Sequence, residues 1–150
     1  MGTRYAGTAE EILALDTFTK LLRAAGSVQA RIRCHDSVDD LSDSQFGTLD
    51  MLFHLGPLHQ NAIGKRLLVS KSNVVAIVDQ LEQRGLVSRE RSREDRRRIV
   101  VHLTEAGRNL VQRLFPAHAA AITEEFSCLT PAEQQELGRL CRKLGLNPRA

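Results

Sequence analysis

The sequence predicts a mainly α-helical chain with one small β-hairpin set among its helices. Three observations carry that expectation. Apolar residues recur at helical spacing through most of the chain. Helix starts and stops are well marked, with Ser42, Ser70 and Thr130 as caps and Gly56, Gly85 and Gly145 as ends. Two short runs, 86–91 and 98–103, have strand character and flank a charged turn. At 150 residues the chain fits a single domain, 1–150, and an apolar share of 42% supports a core. With 4% aromatic residues and no Trp, that core must be built from Leu, Val, Ile and Ala.

The first helix is expected over about residues 10–33. Ile12, Leu15, Phe18, Leu22, Ala25 and Ile32 form one apolar row, and Leu21, Ala24 and Val28 a second. A helix with two apolar flanks is expected to dock on another helix. A polar stretch, 35–40, ends the pattern. Ser42 and Gln45 then form a capping box, opening a helix that turns Phe46, Leu49, Leu52 and Phe53 inward and stops at Gly56-Pro57. A short helix follows over 59–67, with Ile63 and Leu67 inward. Ser70 caps the next, 71–84, which Gly85 ends in a left-handed conformation. Two short helices joined by a few residues make a helix-turn-helix.

The run RIVVHL has the β-branched content of a strand, so 86–91 and 98–103 are paired as a wing around the tip SREDRR. Thr104 caps a long helix with Leu110, Leu114, Phe115, Ile122 and Phe126 on its apolar side, in which Pro116 is expected to cause a kink or a split. Thr130-Pro131-Ala132-Glu133 starts the last helix. Its Leu137, Leu140, Cys141 and Leu144 share one face and are expected to be buried.

Charge points to a partner. The net charge is only +3, yet seven of the 21 basic residues (Arg84, Arg89, Arg91, Arg93, Arg96, Arg97 and Arg98) lie within fifteen positions, against Glu90, Glu94 and Asp95. A local cationic ribbon beside a slim helix suits duplex DNA, because phosphate binding depends on local charge. Val74, Ile77, Val78 and Leu81 of the helix at 71–84 face the core. The opposite side presents Ser72, Ala76 and Asp79, with Asn73 and Val75 flanking and Lys71 at the entry. Short side chains let a helix sink into the major groove. Asn and Ser can read base edges there, and Val75 or Ala76 can touch a thymine methyl; Lys71 suits a phosphate. An arginine of the wing tip can enter a narrow minor groove, oriented by Asp95. The plainer alternative is an exposed surface helix beside a solvated charged turn.

Other functions find little support. No run approaches the roughly 18 apolar residues of a membrane span, and no apolar signal core opens the chain. Cys34, Cys128 and Cys141 show no CxxC spacing, which speaks against a disulfide scaffold or a zinc finger and for the cytoplasm. His35, His54, His59, His102 and His118 show no metal-ligand spacing, so no metal and no cofactor is expected. No nucleophile, zinc-protease or phosphate-loop signature appears, and no enzyme is expected.

The run SDSQFGTLDMLFHLGPLHQNAIGKRLLVSKSNVVAIVDQLEQRGLVSRERSREDRRRIVVHLTEAGRNL resembles the winged helix-turn-helix core of the MarR (multiple antibiotic resistance regulator) family. The resemblance covers about residues 41–110, most specifically in VSKSNV, VDQLEQRGLV, the DRR wing and HLTEAGR. It implies a winged helix-turn-helix DNA-binding lobe at about 41–104, flanked by N- and C-terminal dimerisation helices at about 9–35 and 105–146. It implies a homodimeric transcription regulator, usually a repressor, with double-stranded DNA as partner. Lys71, Ser72, Asn73, Val75 and Ala76 would lie in or beside the major groove. Arg93, Arg96 and Arg97 would serve the wing, with Asp95 and Arg97 as its acid–arginine pair.

Two positions depart from the family pattern. His59 stands where Thr or Ser commonly caps the first helix of the motif, and Ala62-Ile63-Gly64 replaces Glu-Leu-Ala, although Gly64 keeps the small side chain needed at the helix crossing. Family members often bind small aromatic or phenolic effectors. Arg31, His35, Met51 and His54 fall near where the resemblance puts that cleft, and a structural role is the alternative for each. Oxidant-sensing members carry their thiol near the start of the first helix; Cys34 lies at its far end, although Arg31, Arg33 and His35 beside it would lower a thiol pKa. Two rival readings are a winged-helix protein–protein module and a non-specific architectural DNA binder.

Overall fold

The structure, a computed structural model, describes residues 4–35 and 40–147, the side chains of residues 33–35 excepted. The effector candidate His35 and the thiol of Cys34 therefore lie outside the described side chains. The order is α1 (Ala9–His35), α2 (Asp43–Leu55), β1 (Leu58–His59), α3 (Gln60–Leu67), α4 (Lys71–Gln83), β2 (Val87–Arg91), β3 (Ile99–Leu103), α5 (Glu105–Phe126) and α6 (Pro131–Gly145). Two compact units compose the chain: Ser37–Ala117, and Met1–Asp36 together with His118–Ala150.

In the Ser37–Ala117 unit the expected helix signals take effect. The backbone N–H of Gln45 donates to Ser42 Oγ at 3.1 Å and that of Ser42 to Gln45 Oε1 at 2.9 Å, the reciprocal box that starts α2. Ser70 Oγ accepts from the Asn73 N–H at 3.2 Å, starting α4. Each such cap is worth about 1 kcal/mol. Gly85 adopts φ +70°, a conformation that favours glycine, and turns the chain from α4 into the wing. At α3 the N-cap is His59, which makes no side-chain capping bond, so the departure noted in the sequence costs that helix its cap.

The sheet has three strands in the order β1-β3-β2, all antiparallel. The β2–β3 hairpin is the expected wing, with Val87 opposite Leu103 and Arg91 opposite Ile99. The third strand is an addition: Leu58 and His59 pair with Val101 and Val100. One core holds these elements together. Leu49, Leu52, Ile63, Val74, Val78 and Leu81 meet Leu86, Val87, Val101, Leu110 and Val111, so helix-turn-helix, wing and the start of α5 share buried surface. A Cβ built on Gly64 would stand 3.3 Å from Val74 Cγ1, which is why α3 and α4 need a small residue at their crossing.

The other unit contains α1, the end of α5 and α6. Arg31 Nε donates to Glu125 Oε2 at 2.6 Å, joining α1 to α5. Thr130 and Glu133 form the expected capping box with Pro131 in the first turn of α6. Two expectations need correction. Helix α5 does not split at Pro116: a proline removes one donor, here to the carbonyl of exposed Gln112, and water can take that bond. The α6 stripe is not core either, because Leu137, Leu140 and Leu144 are exposed, as is Cys141. Ile12, Leu15, Phe18 and Leu22 of α1 are exposed too. Helical periodicity identifies an apolar face without saying whether the same chain covers it. Among the described residues no helix is long and apolar enough to cross a membrane.

Candidate nucleic-acid interface

Helix α4 positions the first set of side chains. Burial of Val74, Val78 and Leu81 fixes its inner face, and the helical repeat then turns Lys71, Ser72, Asn73, Val75 and Ala76 outward; all five are exposed. After Lys71, only short groups stand over the first turns. Ser70 Oγ and Ser72 Oγ lie 3.1 Å apart, leaving hydroxyl capacity for a base edge or a phosphate. Val75 keeps 39% of its surface exposed, a large share for a branched apolar residue in a helix.

The wing tip supplies the second set. The Arg97 N–H donates to Asp95 Oδ1 at 3.0 Å, and the Arg98 N–H to the Asp95 carbonyl at 2.9 Å. Asp95 thus closes the turn with its own side chain. Its carboxylate also stands 3.6 Å from Arg98 Nε, an ion pair beyond hydrogen-bonding distance. The acid–arginine pair expected of Asp95 and Arg97 is therefore a main-chain contact here, and the nearby guanidinium is that of Arg98. The Arg97 side chain makes no ion pair among the described residues. Arg93, Arg96 and Arg97 are all exposed and make no ion pair among the described residues. Beside them a groove of about 490 Å³ is lined by Arg91, Ser92, Arg93 and Arg96. Three unpaired guanidinium groups at a hairpin tip form an anion-seeking surface.

Arg89 differs from the other wing cations. Its Nη2 lies 3.0 Å from Glu82 Oε1 and 2.5 Å from Asp79 Oδ1, both on α4. Its backbone N–H donates to Glu82 Oε2 at 3.0 Å. The hydrogen bond from Arg89 holds the Glu82 carboxyl below its ordinary range, and the same bond raises the Arg89 guanidinium. Counting Arg89 among the free cations and Asp79 among outward-facing polar groups misses this association. Opposite charges seven and ten positions apart were the only signal in the sequence. On the sheet's other face His102 Nε2 and Glu90 Oε1 lie 2.8 Å apart.

The remaining candidates are dispersed. Arg31 is engaged by Glu125 in its own unit. Met51 is half-buried, and His54 packs edge-on to Phe53 and Phe115 with Nε2 3.2 Å from Asp50 Oδ1. Cys128 is exposed, with Sγ 3.6 Å from the Glu125 carbonyl oxygen. Among the described residues no group of three or more His, Cys, Asp or Glu side chains is placed to hold a metal.

Residues 39–98 match the model of the MarR family. The chain is 33% identical over 133 residues to the HTH-type transcriptional regulator MhqR of Bacillus subtilis, covering 89% of this chain and 92% of MhqR. Among solved structures it resembles Sco3205, a MarR family transcriptional regulator from Streptomyces coelicolor in complex with DNA, with 27% identity, a TM-score of 0.78, and 97% of this chain and 93% of that chain covered. It also resembles BpsR of Bordetella bronchiseptica, whose DNA binding is regulated by 6-hydroxynicotinic acid, with 26% identity, a TM-score of 0.77, and coverages of 87% and 98%. With this fold, its exposed helix α4, its cationic wing and these relatives, the chain belongs to the MarR family of winged helix-turn-helix DNA-binding transcription regulators, which are not enzymes.

Proposed function

We propose that the chain acts in the cytoplasm as a homodimeric, sequence-specific binder of double-stranded DNA and as a ligand-responsive repressor on a pseudo-palindromic operator. The observation that carries this reading is the pairing, on one core, of an exposed α4 face of Lys71, Ser72, Asn73, Val75 and Ala76 with a wing tip whose Arg93, Arg96 and Arg97 make no ion pair among the described residues. Helix α4 serves the major groove and the wing the flanking minor groove. The exposed apolar rows of α1 and α6 supply surface for a second copy. Twofold symmetry then sets the half-sites about one turn, roughly 34 Å, apart.

An aromatic or phenolic effector fits the BpsR likeness. Of the candidates, His54 has both aromatic neighbours and hydrogen-bonding capacity. Effector binding would favour one of two dimer shapes and so release the operator.

The test is to enrich duplexes from a random-sequence pool with the purified protein, then measure affinity against salt with and without a panel of aromatic acids. The reading expects a twofold-symmetric consensus, affinity falling steeply with salt, and release by at least one acid. Equal affinity for the consensus and a scrambled duplex would favour an architectural binder. Absence of salt-dependent binding would favour a protein–protein module.

A further inference from the structure

We propose that Arg89 is a positioning residue that latches the wing to the reading helix, rather than one of the protein's DNA contacts. The proposal rests on the DNA-binding reading above and assigns a role to the wing cation that, among the described residues, two carboxylates of α4 hold.

Arg89 sits at the middle of β2, opposite Val101 of β3. Its side chain is 24% exposed, against 61% for Arg98 at the tip. Asp79 and Glu82 are three residues apart on α4 and so share a face. Both offer a carboxylate oxygen to the same Arg89 nitrogen, and Glu82 uses its second oxygen for the Arg89 backbone N–H. One side chain of the reading helix thus holds both the main chain and the side chain of the wing strand. A guanidinium committed to two carboxylates carries no spare charge for a phosphate: the trio's net charge is negative.

The geometry matters because the two probes must enter neighbouring grooves whose spacing the duplex fixes. A strand free to swing relative to α4 would place the wing tip wrongly once the helix is seated, and positioning errors of this kind weaken specific binding first. Sequence-independent attraction to phosphates depends on total charge and survives.

The two interpretations differ in sign at Glu82. Acting only as a charge, Glu82 repels DNA, so Glu82→Gln would tighten binding. Acting as the latch's acceptor, its loss loosens the wing, so Glu82→Gln weakens binding to the preferred sequence. The experiment uses a 30-base-pair duplex enriched by the wild-type protein and its scrambled counterpart, with fluorescence anisotropy over a range of KCl concentrations. Arg89→Met and Glu82→Gln are each expected to weaken binding to the enriched duplex tenfold or more. The dependence of log affinity on log salt should stay unchanged, and affinity for the scrambled duplex should be equal or higher in Glu82→Gln and fall far less than for the enriched duplex in Arg89→Met. The double variant should be no weaker than either single one, since either change opens the same latch. A salt slope lower by about one in Arg89→Met, as loss of a phosphate contact gives, would overturn the proposal. Tighter binding of the enriched duplex by Glu82→Gln would overturn it as well, and this near-isosteric variant decides the matter even should Arg89→Met fold poorly. Wild-type protein that enriches no duplex would instead remove the DNA-binding reading itself.

Discussion

A methyl group on Gly107 would stand 2.1 Å from the carbonyl oxygen of Leu86. That carbonyl accepts the Thr104 N–H at 3.1 Å, and Thr104 Oγ1 donates to the Gly85 carbonyl at 2.7 Å while accepting from the Gly107 N–H at 3.1 Å. The first turn of α5 is therefore pressed onto the backbone that leads from α4 into the wing, and only a hydrogen fits at position 107. Gly107→Ala is expected to cost about 2–3 kcal/mol, the upper part of the range for overpacking. Thermal melting should fall by about 5–10 °C. An unchanged melting temperature would show that this contact can relax freely.

Leu68, in the turn between α3 and α4, has φ +56° and is 92% exposed. A left-handed leucine is strained by roughly 1–2 kcal/mol, and this one buries almost nothing in compensation. Leu68→Asn should stabilise the fold by about 0.5–1 kcal/mol, since asparagine tolerates that conformation. Urea denaturation checks it; a lower midpoint would mean that the leucine makes a stabilising contact, such as one with a second chain.

Arg97 has its main chain fixed by Asp95, while its side chain makes no ion pair among the described residues. Arg97→Ala is expected to weaken operator binding tens-fold without altering stability and to lower the salt slope by about one. Asp95→Ala loosens the turn while removing a negative charge, so its loss should be smaller and its slope unchanged. Unchanged affinity of Arg97→Ala at physiological salt would remove the wing from the reading surface.

The Glu82 carboxyl is held below its usual 4.5, chiefly by the hydrogen bond from Arg89. A depressed carboxylate contributes stability above its unfolded-state value and loses it as pH falls through the folded-state one. The stability gap between wild type and Glu82→Gln should be constant near neutral pH and should close on acidification below 4.5. Glu133 and Glu136 are also lowered, by Thr130 and Arg139 respectively, but they are common to both proteins and cancel in the difference. Denaturation curves between about pH 3 and 7 measure the gap; a gap independent of pH would contradict the ion pair.

Local signals were the legible ones. Ser42, Ser70, Gly85 and the Thr130 box act within one turn of chain, and each behaves as its sequence neighbours require. The wing was readable because RIVVHL is β-branched and its partner lies just before it, across a short charged turn. The strand at Leu58–His59 was not: two residues after Gly-Pro carry no periodicity, and their partner lies some forty positions on. Arg89 was hidden for the same reason, since a row of arginines does not say which of them meets a carboxylate from another element. The apolar face of α6 was plain as a pattern, yet its exposure in the single chain is a property of what surrounds it.

In the proposed complex two copies place matched helices and wings in successive grooves of one duplex. Hydroxyl-radical footprinting of the enriched 30-base-pair duplex would reveal this arrangement. The account predicts two equivalent protected patches related by a dyad, with centres about 10–10.5 base pairs apart and flanking minor-groove protection that disappears in Arg97→Ala. A single asymmetric patch, or flanking protection that persists in that variant, would contradict it.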